Sequence, residues 1–269
     1  MFTTVYSSSR RNEKEEIKMS LLDQLETPKD RPAILTITGD AGTGKTTLAN
    51  TFPSPVFIRV EDGLQAIDAD KRPMAFPKVE SVEQLMQQLQ ALVKEDHEFK
   101  TVVIDSVTQL ETLFTDYVIS NDPKNPKSLN QAMGGYGNGR QAVANLHGRV
   151  RKAAQILNDK GLFVVFIAHS DVSTIELPDQ DPYSRYELRL MKPCQTHYVD
   201  NTDLVAYLKM ETFTRGDGER KKAISTGSRV AVCHTDAAQV SKNRYSITEP
   251  LIVEKNVNPF TPFIKALAE

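Results

Sequence analysis

The feature that most restricts what this chain can fold into is a glycine-rich octet at residues 39–46, Gly-Asp-Ala-Gly-Thr-Gly-Lys-Thr. It fits the pattern G-x-x-x-x-G-K-[ST] at every fixed position. An apolar, β-branched run at residues 33–38 precedes it, and a helical pattern begins near Lys45. Glycines allow backbone N–H groups to turn toward oxygen atoms, and a helix N-terminus adds partial positive charge. The octet therefore predicts a strand, a phosphate-binding loop and a helix.

The residue types in this loop predict how ATP and Mg²⁺ are held. The ammonium group of Lys45 neutralises the outer phosphates, and the hydroxyl of Thr46 supplies one ligand to the metal. The predicted nucleotide-binding residues are Gly39, Asp40, Ala41, Gly42, Thr43, Gly44, Lys45, Thr46 and Thr47. The alternative is a glycine-rich turn that contains a lysine by chance, and the flanking strand and helix patterns disfavour it.

Acidic residues follow two further strand patterns. Asp105 closes the apolar run at residues 101–104, and Glu61 and Asp62 follow the run at residues 55–60. The carboxyl ends of parallel strands meet at the edge of an open α/β sheet where ligands bind. Asp105 is therefore the predicted second magnesium ligand, and Glu61 is the predicted catalytic base, with Asp62 as the alternative. The plainer explanation for these residues is that they are solvated acids that begin a loop.

Strand and helix patterns alternate along the chain. Strands are predicted at residues 33–38, 55–60, 101–104 and 162–168, and helices at residues 82–94, 107–120 and 140–159. Repeated β-α-β units predict an α/β fold with a mainly parallel sheet and helices on both faces. After His169, strands are predicted at residues 185–190, 204–214 and 228–233, with a hairpin turn at residues 215–218.

Polarity divides the chain unevenly. Residues Met1–Asp30 are too polar to pack, which predicts an N-terminal arm with a possible role in oligomerisation, followed by one core domain at residues 31–269. No run approaches the roughly 20 apolar residues that cross a bilayer, so we expect no membrane association. Cys194 and Cys233 have no metal or redox spacing, which favours reduced thiols in the cytoplasm. The net charge of −2 requires any contact with DNA to come from local loops.

Several segments in order resemble the RecA family of recombinases and ring helicases. Residues 57–64 resemble the strand that ends in that family's catalytic glutamate, which favours Glu61 over Asp62. Residues 103–107 resemble its Walker B strand, ending at Asp105. Residues 166–169 align with the strand end where the family has a glutamine that senses the γ-phosphate, and His169 stands in that place. A neutral imidazole also donates one hydrogen bond and accepts another, so the resemblance implies a sensing role for His169, against the alternative of a strand-end histidine without one.

Within that family the chain is most similar to short phage-encoded RecA- or RadA-like ATPases, the minimal single-strand annealing recombinases. This resemblance implies Mg²⁺-dependent ATP hydrolysis in DNA recombination or annealing, in the cytoplasm of a bacterial host. It also implies a homo-oligomeric ring or filament, with a single-strand-binding protein as a candidate partner. Lys242 and Arg244 resemble the Lys-x-Arg finger that a neighbouring subunit offers to the γ-phosphate, with a basic surface turn as the alternative. Residues 2–5, Phe-Thr-Thr-Val, resemble the segment that joins RadA-type subunits into filaments.

RecA-type proteins hold single-stranded DNA with two loops. The first would lie at residues 124–140, and its predicted DNA contacts are Lys124, Lys127, Tyr136 and Arg140. The second would lie at residues 170–184, but it is acidic. That acidity keeps two other functions open. One is a replication-accessory or helicase-loading ATPase that binds a protein partner, and the other is a nucleotide-gated interaction protein with negligible turnover.

Overall fold

The computed structural model describes residues 22, 25–27, 30–215, 222–234 and 236–268, with backbone alone at residues 212–215 and 222–226. The chain divides into two compact units, Met1–Asp30 and Arg31–Glu269, and every element below belongs to the second unit. Residues 2–5, the predicted filament-joining segment, lie outside the described residues, as does most of the predicted hairpin turn at residues 215–218.

Strands and helices alternate through the first two thirds of the core. The elements are β1 (Ile34–Gly39), α1 (Lys45–Ala49), β2 (Pro55–Arg59), β3 (Met74–Ala75), α2 (Val82–Lys94), β4 (Thr101–Asp105), α3 (Val107–Ser120), α4 (Asn138–Asp159), β5 (Phe163–Leu177), β6 (Gln180–Leu188), α5 (Lys192–Gln195), β7 (Leu204–Arg215), β8 (Lys222–Val232), β9 (Lys242–Asn243) and β10 (Leu251–Ile252). Short 3-10 turns occur at Leu64–Ala66, Ala69–Lys71, Ala132–Gly134 and Lys265–Leu267. Among the described residues, none of the helices combines the length and the apolar character that a membrane span requires.

One mixed sheet organises the core, with strand order β10-β8-β7-β1-β5-β4-β2-β3. The six strands from β7 to β3 in this order run parallel, whereas β8 and β10 add antiparallel strands at one edge. In addition, β6 pairs with β5 and β9 pairs with β7. The predicted α/β fold with a mainly parallel sheet is confirmed. In this order, β5 separates β1, which leads into the glycine-rich loop, from β4, which ends at Asp105.

Apolar layers cover both faces of this sheet because successive strand residues point to opposite sides. In β1, Ile34 packs in the layer that includes α2, α3 and α4, whereas Leu35 packs in the layer that includes α1. In the second layer, the ring of Phe52 lies 5.9 Å from that of Phe163 and 6.3 Å from that of Phe260. The central strand β1 and the first part of β5 are therefore buried on both sides, which fixes the position of the loops at their carboxyl ends.

Serine residues cap the two helices whose bounds the sequence predicts without error. The backbone N–H of Gln84 donates to Ser81 Oγ at 3.1 Å at the start of α2, and that of Gln109 donates to Ser106 Oγ at 3.3 Å at the start of α3. Each hydroxyl satisfies one N–H that the helix leaves without a partner. The cap at Ser106 also ends β4 immediately after Asp105, which holds this carboxylate at the edge of the sheet.

Several predicted boundaries differ from the structure, among them those of the strands predicted at residues 185–190 and 228–233, which are Gln180–Leu188 and Lys222–Val232. Residues 170–184 do not form a loop, because β5 continues to Leu177 and pairs with β6 in a hairpin. Alternation of β-branched with polar residues extends the strand, and Pro178 and Asp179 form the connection between Leu177 and Gln180. Helix α4 begins at Asn138 rather than at residue 140, so Arg140 lies in its first turn.

Candidate active site

The glycine-rich loop connects β1 to α1 at the carboxyl edge of the sheet, and its glycines are needed for space and for backbone conformation. A methyl group at Gly39 would lie 2.2 Å from the carbonyl oxygen of Leu208 in β7. Gly44, which precedes α1, has a φ of 92°, in the left-handed region that favours glycine. The hydroxyl of Thr43 donates to the carbonyl oxygen of Asp40 at 2.9 Å and closes the turn.

Lys45 extends across the loop rather than into solvent. Its Nζ donates to the carbonyl oxygens of Gly39 at 2.9 Å and Asp40 at 2.8 Å, and the side chain is almost fully buried. Burial lowers the pKa of Lys45, and the nearby carboxylates of Asp105 and Glu61 act in the opposite direction. A cation with two carbonyl partners is therefore held directly beside the loop that would bind phosphate.

Thr46 and Asp105 meet although they belong to different elements. Thr46 Oγ1 donates to Asp105 Oδ2 at 2.8 Å, which brings the first residues of α1 to the end of β4. Burial raises the pKa of Asp105, the hydrogen bond from Thr46 opposes that effect, and the charge of Glu61 adds to it. A methyl group at Gly63 would lie 3.0 Å from both of these oxygen atoms, so glycine leaves space beside them. A hydroxyl and a carboxylate with free space beside them fit the oxygen ligands that Mg²⁺ requires.

Glu61 and His169 form a pair across the same cleft. His169 Nε2 lies 3.3 Å from Glu61 Oε1, and this hydrogen bond is the main cause that lowers the pKa of Glu61. His169 is opposite Gly39 in the pairing of β5 with β1, and its backbone N–H donates to Thr108 Oγ1 at 2.9 Å. The arrangement keeps Glu61 ionised and fixes its carboxylate relative to the sheet.

Asp62 differs from Glu61 in its partners. Its carboxylate forms ion pairs with Lys78 at 3.0 Å and with Arg59 at 3.7 Å, and 52% of the side chain is exposed. Two cations therefore occupy the Asp62 carboxylate, whereas a histidine that lines the cleft contacts the carboxylate of Glu61. This geometry favours Glu61 over Asp62.

The cleft that these residues surround has a volume of about 460 Å³. Its lining consists of Ala41, Gly42, Gly44, Lys45, Thr46, Thr47, Glu61, Asp62, Gly63, Ala66, Asp105, His169 and Arg229. Four neighbouring parallel strands, β1, β5, β4 and β2, thus each end at this one concave surface.

Arg229 is a site residue that sequence reasoning missed. It lies on β8, far along the chain from the loop, and a methyl group at Gly44 would come within 2.2 Å of its guanidinium. Arg189 is a second cation near Lys45, and its charge contributes to lowering the pKa of Lys45. The backbone N–H of Arg189 donates to the carbonyl oxygen of His169 at 2.8 Å. A single arginine in a strand carries no motif, and the pairing of β8 with β7 is what places Arg229 here.

The predicted finger residues lie elsewhere in this subunit. Lys242 pairs with Val205, near the amino end of β7, whereas the glycine-rich loop follows the carboxyl end of β1. Lys242 Nζ bonds to the carbonyl oxygen of Asp200, and Arg244 forms an ion pair with Asp203 at 2.8 Å. Neither side chain reaches the cleft of its own subunit, so an action on a neighbouring subunit stays a prediction.

The predicted DNA-binding residues lie on exposed surface, from the connection between α3 and α4 to the first turn of α4. Lys124, Lys127, Tyr136 and Arg140 are all exposed. The segment has internal order because Asp122 accepts hydrogen bonds from the backbone N–H groups of Lys124 at 2.9 Å and Met133 at 2.5 Å. Lys124, Lys127 and Tyr136 lie on the connecting segment and Arg140 lies in the first turn of α4, and all four are outside the cleft.

Most of the core, cleft included, matches a known protein family. Residues 31–245 match the family AAA_24, an AAA domain. No curated protein matches the sequence significantly. Among solved structures, the chain is similar to a KaiC-like protein from the hyperthermophilic archaeon Pyrococcus horikoshii, with 14% sequence identity and a TM-score of 0.44. That alignment covers 83% of this chain and 86% of the archaeal chain.

Proposed function

Because this chain belongs to the AAA domain family, we propose that it is a magnesium-dependent ATPase that acts on single-stranded DNA in recombination or strand annealing. The observation that carries the ATPase part is the convergence of Lys45, Thr46, Asp105, Glu61 and His169 on one cleft. These residues supply the charges that phosphoryl transfer to water requires, namely a cation for phosphate, oxygen ligands for metal and an ionised base.

Each side chain has a distinct task in this proposal. Lys45 exchanges its two carbonyl partners for phosphate oxygens, which compensates for its burial. Thr46 and Asp105 hold Mg²⁺, and the bound metal supplies neutralisation of the charge that develops on the phosphates. Glu61 accepts a proton from the attacking water, and His169 keeps the Glu61 carboxylate oriented toward it.

Arg229 completes the positive side of the cleft. Its guanidinium lies above Gly44, where the helix N-terminus directs N–H groups, so both favour the same negative charge. An arginine presents several donors in one plane and suits phosphate oxygens well. We propose that Arg229 acts within its own subunit, whereas Lys242 and Arg244 act on a neighbouring subunit of a ring or filament.

Three variants test the ATPase proposal. Lys45→Ala should abolish nucleotide binding, because the buried cation beside the phosphate loop is lost. Glu61→Gln should bind ATP normally and hydrolyse it roughly 10²- to 10⁴-fold more slowly, the usual contribution of a general base. Asp62→Asn is the matched control, one residue away, and should keep nearly full activity. A slow Asp62→Asn and a normal Glu61→Gln would assign the base to Asp62.

Support for DNA binding comes from the segment between α3 and α4. Tyr136 is fully exposed on this segment, Lys124 and Lys127 are exposed on it as well, and Arg140 is exposed in the first turn of α4. An exposed aromatic ring stacks on any base, and neighbouring cations pair with the backbone, so the set suits binding without sequence preference. ATP hydrolysis should rise with single-stranded DNA, and Tyr136→Ala should remove that rise. Lys94→Ala, an exposed lysine at the end of α2, should leave it unchanged.

The hairpin of β5 and β6 favours a second candidate, a replication-accessory ATPase that binds protein. Asp171, Glu176 and Asp179 are exposed on it and repel phosphate. Val172 and Leu177 are 54% and 43% exposed there, and apolar side chains of this kind favour protein contacts. Hydrolysis that does not respond to DNA, together with unchanged behaviour of Tyr136→Ala, would favour this candidate. Negligible hydrolysis in every condition would instead favour a nucleotide-gated interaction protein.

Assembly and origin belong to the same proposal. We propose a homo-oligomer, with residues 1–30 as the joining arm, in a phage-infected bacterial cytoplasm. Light scattering on the purified chain, with and without ATP and Mg²⁺, should give a mass that is a multiple of 30.1 kDa. A monomer in both conditions would contradict the oligomer and, with it, the role of Lys242 and Arg244 in a neighbouring site.

A further inference from the structure

A cluster of metal-ligating side chains lies between α3, α4 and α5, away from the nucleotide cleft. It consists of Glu111, His147 and Cys194, and their candidate ligand atoms all lie within 4.8 Å of one another. His147 and Cys194 are fully buried, and the side chain of Glu111 is 17% exposed. Three different ligand types from three helices converge here, and none of them has a task in the proposed hydrolysis of ATP.

His147 carries the most informative atom of the cluster. Its Nδ1 is hydrogen-bonded to the Tyr198 hydroxyl at 2.6 Å, whereas its Nε2 has no hydrogen-bond partner among the described residues. The nearest carboxylate oxygen, on Glu111, is 4.0 Å from Nε2, beyond hydrogen-bond distance. A fully buried polar nitrogen without a partner costs free energy, so the cluster has a place for a group that binds it.

Neighbouring groups fix the direction of this nitrogen. The rings of Phe114 and Tyr198 pack edge-on against His147, with centroids at 4.8 Å and 5.4 Å. A histidine that binds a metal through one nitrogen usually donates a hydrogen bond through the other, which sets the tautomer. In His147, the hydrogen bond between Nδ1 and the Tyr198 hydroxyl is that second bond. When the proton is on Nδ1, the lone pair of Nε2 is free to bind a metal beside Glu111 and Cys194.

The other two side chains are also prepared for a cation. Both carboxylate oxygens of Glu111 lie close to the backbone N–H of Met191, at 3.1 Å and 2.9 Å, which anchors the carboxylate at the start of α5. Burial raises the pKa of the Glu111 carboxyl group and of the Cys194 thiol.

We propose that Glu111, His147 and Cys194 bind one zinc ion, or a divalent transition metal of similar ligand preference, through a carboxylate oxygen, Nε2 and Sγ. Thiolate, imidazole and carboxylate together form the ligand set that Zn²⁺ prefers, with bonds of about 2.0–2.3 Å. Because a thiolate rather than a thiol binds the metal, binding releases the proton of Cys194. Two positive charges then meet one thiolate and one carboxylate, so the buried site has no net charge.

The fourth position of a tetrahedral site would lie on the side of Glu111, which is the exposed member of the cluster. Water is the ligand that we assign to it. The metal would connect α5 to α3 and α4, and Thr108, one helical turn before Glu111 on α3, bonds the backbone of His169. The ion would therefore stabilise the layer of helices that supports the proposed nucleotide sensor.

Cobalt is the probe for this site, because a cobalt–thiolate bond gives a charge-transfer absorption that oxygen ligands do not give. Titration of the full chain with Co²⁺ should produce this band at one equivalent, and Zn²⁺ should remove it by competition. Thr46→Ala should leave the band unchanged, because any cobalt at Thr46 and Asp105 has no sulfur ligand. This result keeps the zinc proposal separate from the ATPase proposal.

Matched variants of the two cysteines test which of them binds the cobalt ion. Cys194→Ser should lose the band, whereas Cys233→Ser should keep it, because Cys233 is a buried thiol of the other apolar layer. Glu111→Gln, a milder change at the exposed edge, should weaken cobalt binding roughly 10- to 100-fold and covers the case in which Cys194→Ser does not fold. No thiolate band in the unaltered chain, a band that survives in Cys194→Ser, or an unchanged affinity in Glu111→Gln would each overturn the proposal.

Discussion

Replacing Gly63 by alanine would add one methyl group beside the two side chains that we propose to hold Mg²⁺. The backbone of Gly63 has φ −79° and ψ −21°, a conformation that alanine adopts without strain. The new Cβ would lie 3.0 Å from Asp105 Oδ2 and 3.0 Å from Thr46 Oγ1. The substitution therefore tests the space beside these oxygens and leaves the backbone conformation unchanged.

The expected change in the Mg²⁺ requirement of Gly63→Ala follows from how far the two oxygen atoms must move. An ordinary contact between carbon and oxygen is about 3.4 Å, so each oxygen must move back by a few tenths of an ångström. Mg²⁺ demands near-ideal octahedral geometry at about 2.0–2.1 Å, and metal sites tolerate deviations of about 0.2 Å. Since a misplacement of about 1 Å costs roughly 100-fold in rate, we expect about a tenfold higher Mg²⁺ requirement, which corresponds to about 1.4 kcal/mol.

The assay is ATP hydrolysis as a function of Mg²⁺ concentration, paired with nucleotide binding in the presence of a chelator. Gly63→Ala should shift the dependence of hydrolysis on Mg²⁺ to higher concentration. It should leave nucleotide binding in the presence of chelator unchanged, because the phosphate loop itself is not altered. Gly148→Ala is the control, since it adds the same methyl group within α4, where the nearest atom is Cε1 of His197 at 3.3 Å. An unshifted Mg²⁺ curve in Gly63→Ala would refute the assignment of Thr46 and Asp105 as metal ligands.

Three further predictions address the cations, the histidine and the surface segment. Arg229→Ala should weaken ATP binding roughly tenfold, as expected for loss of a charge-assisted hydrogen bond, and equal affinity measured by calorimetry would remove Arg229 from the site. His169→Ala should slow hydrolysis more than it weakens binding, because Glu61 loses its orienting partner, whereas His169→Gln should restore part of the rate in steady-state assays. Asp122→Ala should speed hydrogen exchange at residues 124–133, since its carboxylate holds two backbone N–H groups there. The same bonds hold the pKa of Asp122 below its ordinary value of 3.8, so in the unaltered chain this protection should be complete above that pH and lost only as the pH falls below it.

The parts of the site that the sequence predicts are those that local chemistry determines. The octet at residues 39–46 carries its own conformational requirements, and the strand that ends at Asp105 carries its own apolar pattern. Helix α2 could be predicted because Ser81 caps it and its apolar residues repeat with helical period. These signals require no knowledge of which strand pairs with which.

The parts that the sequence does not predict depend on contacts between distant segments. Arg229 reaches Gly44 only because β8 pairs with β7 and β7 pairs with β1. Cys194 has no second cysteine near it in sequence, which favours an inert thiol, but His147 and Glu111 reach it from two other helices. A motif search detects ligands on one short segment, and it cannot detect a set that tertiary packing assembles.

Hydrogen bonds connect the nucleotide cleft to the hairpin of β5 and β6, which is the surface that we propose for a protein partner. His169 faces Glu61, and the next residue, Ser170, donates a hydrogen bond to Asp40 Oδ1 of the phosphate loop at 2.5 Å. β5 then continues from these residues into the hairpin, and its pairing with β6 is irregular only between Ile175 and Leu177. An exchange of partners by Asp40 or Glu61 on phosphate binding would therefore act directly on the base of the hairpin. This path would serve the proposed protein-directed function, whereas the surface that we propose for DNA lies between α3 and α4 and at the start of α4.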